Sequence, residues 1–200
     1  MRLVFDIETD GLLRGLSVIH CIVARDLDTD QEHRFEPHQI EEGLQLLSQA
    51  DELWGHNTIG YDLEAIREIY PKWTTKAKHF DTLILSRLFF TDLLDRDFRS
   101  KPANMPGNLY GRHSLEAWGH RLGVHKSEFG KQLDGDWSTY SAEMLEYCAQ
   151  DVTVSVEVAR MFEPKLEQYA ACIETEHRLA TLMAWQEREG FPFDVRAAQQ

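Results

Sequence analysis

The chain is short of cysteine, with three among 200 residues, and its 21 lysines and arginines are outnumbered by 34 aspartates and glutamates. Cys21, Cys148 and Cys172 are odd in number and show no Cys-x-x-Cys spacing. That pattern speaks against a disulfide framework or a cysteine zinc site and for buried thiols in a reducing compartment. The formal net charge of −13 excludes a generic electrostatic binder of nucleic acid, which would be basic. It leaves room for an enzyme acting on nucleic acid, because bound cations reverse the sign of a local field. Long apolar runs are missing as well. Nothing approaches a membrane span, and the opening MRLVFDIETD has no signal-peptide core, so no membrane partner and a cytosolic setting are expected. Internal repeats and low-complexity segments are also absent. The remaining composition, 42% hydrophobic and 28% charged, suits one soluble domain with a full core and at most a short appendage.

Periodicity gives an α/β order. Residues 2–8 and 18–27 read as strands and QEHRFEP as a shorter edge strand, with Asp28, Thr29 and Asp30 supplying the turn between the last two. The three form an expected antiparallel meander. Pro37 precedes a helix with Ile40, Leu44 and Leu47 at helical spacing. DELWGHN is a short strand, and DLEAIREIY a helix with Asp62 in its first turn. HFDTLILSRLFF is ambiguous, with a helix from Thr82 capped by Asp81 favoured. Residues 91–112, with two prolines and two glycines among basic residues, read as a long loop. HSLEAWGHRLG is a short helix stopped by Gly123. Residues 124–140 read as a second polar loop, Ser141 to about Met161 as a long helix, and Ile173 to Arg188 as a last one. Strands first, then helices alternating with strands, imply a mixed sheet covered by helices on both faces.

Five residues stand out against this frame. In LVFDIET, Asp6 and Glu8 emerge together on one side of a strand while Phe5 and Ile7 point to the other. Paired charges on a mostly apolar strand are costly unless a cation or solvent compensates them. Tyr147 and Asp151 lie four apart and share a helix face. Asp62 sits at a helix start, where a negative charge is favourable in any case. Hard divalent ions such as Mg²⁺ prefer carboxylate oxygens and keep positions open for water and phosphate. Asp81 is assigned to capping rather than chemistry. His113, His120 and His125 match no familiar zinc spacing.

Taken in order, FDIET, the NTIGYD segment from Asn57 to Asp62, and Tyr147-Cys-Ala-Gln-Asp151 resemble the three motifs of the DEDD 3′–5′ exonucleases, a group with the ribonuclease H-like fold. Tyr147 four residues before Asp151, with Glu146 where the other subclass has histidine, is similar to the tyrosine subclass. GRHSLEAWGHRLG, FDTLILSRL and EHRLATLMAWQEREGFPFD further resemble the proofreading domain of podovirus-type phage family A DNA polymerases. On that resemblance, residues 1–168 form the exonuclease domain, and residues 169–200 look like the start of a polymerase domain. No segment resembles the polymerase motifs.

The resemblance implies two divalent cations, Mg²⁺ with Mn²⁺ able to substitute, about 3.5–4 Å apart on the scissile phosphate. Asp6, Glu8 and Asp151 would hold one ion, with Asp6 bridging to a second that Asp62 supports through water. Tyr147 and Glu8 would orient the attacking water. Leu12 would wedge against the terminal bases of a single-stranded DNA 3′ end. Thr9 and Asn57 would contact substrate, although Asn57 is equally a turn residue. Arg96, Arg99, Lys101 and Arg112 are either a solvated loop or a grip on the substrate backbone. The implied activity is release of nucleoside 5′-monophosphates, and the implied partner a DNA polymerase domain or subunit. Two alternatives stand beside it: an RNA-processing DEDD exonuclease, and a non-catalytic docking module.

Overall fold

The computed structural model describes residues 1–124 and 137–199; His125 and most of the second expected loop lie outside the described residues. Five strands form one sheet in the order β3-β2-β1-β4-β5. Strands β1 (Arg2–Thr9), β2 (Ile19–Asp26) and β3 (Glu32–Phe35) make the expected antiparallel meander. Strands β4 (Glu52–Gly55) and β5 (Lys78–Asp81) add in parallel on the other side of β1. The β2–β3 turn is built by aspartate: Asp26 Oδ1 accepts from the backbone N–H groups of Asp28 and Thr29, and Asp30 adopts φ +63°.

Alternation along β1 divides the molecule into two cores. Leu3, Phe5 and Ile7 pack with Ile22, Leu44, Leu47, Leu63 and Ile66. The last four come from α1 (Ile40–Ser48) and α2 (Asp62–Ile69). Val4, Cys21, Val23 and Trp54 face the opposite way, onto Trp118, Cys148 and Val152. These belong to α5 (Leu115–Leu122) and α6 (Ala142–Phe162). Helices therefore cover both faces. Helix α5 stops at Gly123, whose φ of +69° suits a residue without a Cβ, and α6 starts at Ser141, whose hydroxyl accepts from Met144 N–H.

One sequence expectation is met and extended, since the favoured Asp81-capped helix from Thr82 is present with a short strand before it, and another changes. The ambiguous HFDTLILSRLFF is both things in turn: β5 ends at Asp81, which then caps α3 (Thr82–Phe89) by accepting from Leu83 N–H at 2.9 Å. Residues 91–112 are not a plain loop, since they contain α4 (Leu93–Ser100) and a 3₁₀ turn at Gly107–Leu109. The reason is tertiary. Asp97 of α4 is 1% exposed and takes both Nε and Nη2 of Arg121, at 2.9 and 2.8 Å, from the facing α5. Such a bidentate pair fixes geometry as well as adding energy, and it joins residues 24 apart that no local window connects. Two helices complete the chain, α7 (Ala170–Glu189) and the short α8 (Val195–Ala198).

Candidate metal and nuclease site

The site forms where β4 leaves β1. The two strands pair only as far as Val4↔Trp54. Strand β4 closes on its neighbour at Gly55, where a Cβ would lie 2.7 Å from the Phe5 carbonyl oxygen. Glycine permits that approach. The chain then turns through Asn57 at φ +66° and enters α2 at Asp62. The Asp62 carboxylate, 3% exposed, accepts the backbone N–H of Ile7 on the flank of β1 that β4 has vacated. Asp62 is thus tied to the strand residue lying between Asp6 and Glu8.

Asp6 and Glu8 continue the row of Val4 toward α6, both half-buried. From the other side, α6 contributes Cys148 and Asp151, the latter 9% exposed. One carboxylate oxygen each from Asp6 and Glu8 and the Cys148 sulfur lie within 4.8 Å of one another. The Cys148 thiol donates to the Asp6 carbonyl at 3.4 Å. Burial pushes the Asp6 carboxyl well above the usual range, and the charges of Asp62, Glu8 and Asp151 push it further, against a lowering hydrogen bond from Cys148. Asp62 is raised to about 7, chiefly by burial with Asp81 adding, while the N–H groups of Asp62 and Ile7 oppose the shift. Crowded carboxylates that resist ionisation form a setting that a divalent cation would relieve.

The donor set fits hard divalent cations. Asp62 Oδ1 is buried and has no hydrogen-bond partner, a cost that coordination would remove. Asp6, Glu8, Asp62 and Asp151 would be the oxygen donors, as Mg²⁺ or Mn²⁺ prefers.

The remaining expected residues divide. Tyr147, one turn before Asp151, packs its ring edge-on to Trp137 with centroids 5.9 Å apart. Trp137 is itself held by its carbonyl, 2.9 Å from Nε2 of buried His20. Leu12 is 80% exposed on the loop after β1. Thr9 is buried, and its hydroxyl engages Gly11 O and the Tyr61 hydroxyl, so it shapes the loop that carries Leu12. Asn57 makes the turn before Asp62, with Asp81 accepting its N–H at 2.9 Å. Arg96 and Arg99 are engaged with Asp92 along α4, Arg96 at 2.6 Å, and Arg112 is exposed before α5. None of these three joins the carboxylates. Sequence reading missed Cys148 as a neighbour of Asp6; its signal was position, since 147, 148 and 151 share one side of a helix. It also missed His20, for which the sequence carried no signal.

The sheet order and the helices on both faces define a ribonuclease H-like fold. No family model matches the chain. It is similar over 99% of its length to the DNA-directed DNA polymerases of Enterobacteria phage T3, at 31% identity, and Escherichia phage T7, at 30%. The aligned part is 34% of each polymerase, so the chain spans about a third of the length of these curated relatives. The resemblance to a phage polymerase proofreading domain, read from the three motifs, is thereby borne out. Among solved structures, NrnC of Brucella melitensis bound to pGG superposes with a TM-score of 0.62 at 18% identity, covering 97% of this chain and 88% of that one. The same protein with bound Mg²⁺ gives 0.59 at 20%, covering 97% and 90%. The Nibbler exonuclease domain of Aedes aegypti gives 0.54 at 13%, covering 88% and 85%. Among the described residues, no helix is long and apolar enough to cross a membrane.

Proposed function

We propose that this chain is a divalent-metal-dependent 3′–5′ exonuclease of the proofreading type, hydrolysing the terminal phosphodiester of single-stranded or frayed DNA. The observation that carries the reading is convergence. Carboxylates from β1, α2 and α6 meet at one sheet end, in surroundings that raise the pKa of Asp6 and Asp62. Ionised, such a cluster is costly to bury unless a cation offsets it.

Asp6, Glu8, Asp62 and Asp151 hold two cations, Mg²⁺ with Mn²⁺ as substitute. When bound, these supply Lewis acidity and offset the charge of the scissile phosphate. Glu8 and the Tyr147 hydroxyl orient the attacking water, Tyr147 being steadied by Trp137. Leu12 separates the terminal bases, while Thr9 and Asn57 shape the loops on either side of the strand end. Because the strand is held by stacking and wedging rather than by base edges, sequence selectivity is low. Mismatched ends are favoured by their cheaper unpairing. Arg96, Arg99 and Arg112 offer secondary contacts to the DNA backbone.

Residues 1–168 are the nuclease unit and 169–200 resemble the start of a polymerase domain, a division that rests on the sequence resemblance. The test is chromatographic. Single-stranded DNA and RNA of one sequence are incubated separately with Mg²⁺, and deoxynucleoside 5′-monophosphates should appear from DNA well ahead of any product from RNA. Equal or preferred cleavage of RNA would move the chain to an RNA-processing role. No mononucleotide from either would leave a docking module.

A further inference from the structure

We infer that α7 holds the second-cation side of the nuclease site in place, and that His177 is a positioning residue for Asp62, acting through Asp81. This rests on the metal-dependent reading above. His177, 9% exposed, faces the body from α7. Its Nδ1 lies 2.8 Å from the Ile173 carbonyl, which can only accept, so Nδ1 carries the hydrogen. Its Nε2 is then free to accept the backbone N–H of Asp81 at 2.9 Å.

Asp81 is a hub. It is 1% exposed, and besides capping α3 it accepts the N–H groups of Asn57 at 2.9 Å and Ile59 at 3.0 Å. The neighbouring Thr82 hydroxyl donates to Gly55 O at 3.0 Å. The turn from Gly55 to Ile59 therefore hangs on the β5–α3 junction, and that turn delivers Asp62. Helix α7 returns a second time two residues past Asp62, where Arg188 pairs with Glu64, itself 7% exposed and paired with Arg67. One helix thus reaches the polypeptide before Asp62 through Asp81 and after it directly.

Apolar contact adds to these bonds at a few places: Ile173 enters the core, Ala180 packs against the second core and the His177 ring sits edge-on to Phe80. Clefts of about 560 and 300 Å³ open between it and the α2, β5 and α3 surfaces. With apolar contact confined to these residues, the directional polar contacts fix the helix's register against the site. Losing the acceptor at His177 would strand a buried N–H on the hub residue.

The test compares the wild-type protein with His177→Leu, which removes the acceptor, His177→Gln, whose Oε1 reaches the position of Nε2, and Arg188→Gln. Amide hydrogen exchange at residues 57–62 is read without metal. Mn²⁺ binding is read by calorimetry, and kcat and KM on a single-stranded oligonucleotide at limiting Mg²⁺. His177→Leu should exchange these amides at least tenfold faster and weaken one Mn²⁺ site at least tenfold. It should lower kcat with KM within twofold, while His177→Gln stays within threefold of wild type throughout. Arg188→Gln should move each readout in the same direction by less, and it carries the test if His177→Leu fails to fold. Unchanged exchange in His177→Leu and Arg188→Gln overturns the inference, as does a glutamine variant no better than leucine. Wild type that binds no Mn²⁺, yet shows the exchange difference, overturns the nuclease reading and leaves the helix contact standing.

Discussion

Helices α6 and α7 have nearly the same length, 21 and 20 residues, yet α6 buries twelve residues and α7 only two, Ile173 and His177. Helix α6 is part of the core. Its Val152, Val154, Val158 and Phe162 are fully enclosed, and the same helix presents Tyr147 and Asp151 at its N-terminal half. Helix α7 touches the body along a narrow line and exposes Leu179, Leu182, Met183 and Trp185. Rigid packing thus sits under the side of the site built by α6, whereas α7 reaches the Asp62 side mainly through polar contacts.

The contrast is sharpened most by paired truncations. Phe162→Ala should destabilise the fold by about 3–5 kcal/mol, as large aromatic deletions in packed cores do. Trp185→Ala, at a position 56% exposed, should change stability by no more than about 0.5 kcal/mol. Urea denaturation of both variants measures this, and equal losses would erase the distinction between the two helices.

Next in size is a pH effect at Asp62. Its folded pKa, about 7, lies above the ordinary carboxylate value near 3.8, so the ionised form is the less stable one in the metal-free fold. Its contribution is complete below pH 4 and is lost as pH rises from about 4 to about 7. Three units at 1.36 kcal/mol each set an upper bound of roughly 4 kcal/mol. Asp6 shifts in the same direction. In chelator the melting temperature should therefore fall over this window, and added Mg²⁺ should recover it at pH 7.5. A metal-independent melting temperature would show that these groups do not form the cation site.

A smaller effect belongs to Tyr147. Tyr147→Phe should leave Mn²⁺ binding unchanged by calorimetry and slow hydrolysis by about ten- to a hundredfold, near the low end for a group assisting proton movement. Equal turnover would reduce Tyr147 to a packing partner of Trp137.

Much of this arrangement was legible in the sequence because it is periodic. The alternation in LVFDIET placed Asp6 and Glu8 on one side of β1, and the four-residue spacing placed Tyr147 and Asp151 on one side of α6. Asp81 and Gly123 were readable as helix cap and stop from local chemistry alone. Contacts distant along the chain were hidden. Helix α4 was obscured because LLDRDFRS is polar and is stabilised by Arg121 from another helix. Asp81 showed its capping role but not its hold on Asn57 and Ile59, which are more than twenty residues earlier. His177 gave no signal, since its partner is a backbone N–H that any residue could supply.

The most direct measurement is the time course of a 5′-labelled single-stranded DNA oligonucleotide on a sequencing gel. With Mg²⁺ the label should step down one nucleotide at a time from the 3′ end. Chelator, or Asp6→Ala combined with Glu8→Ala in a protein that still folds, should stop it. Shortening that persists in the double variant, or a label that never shortens in wild type with Mg²⁺, would contradict the assignment.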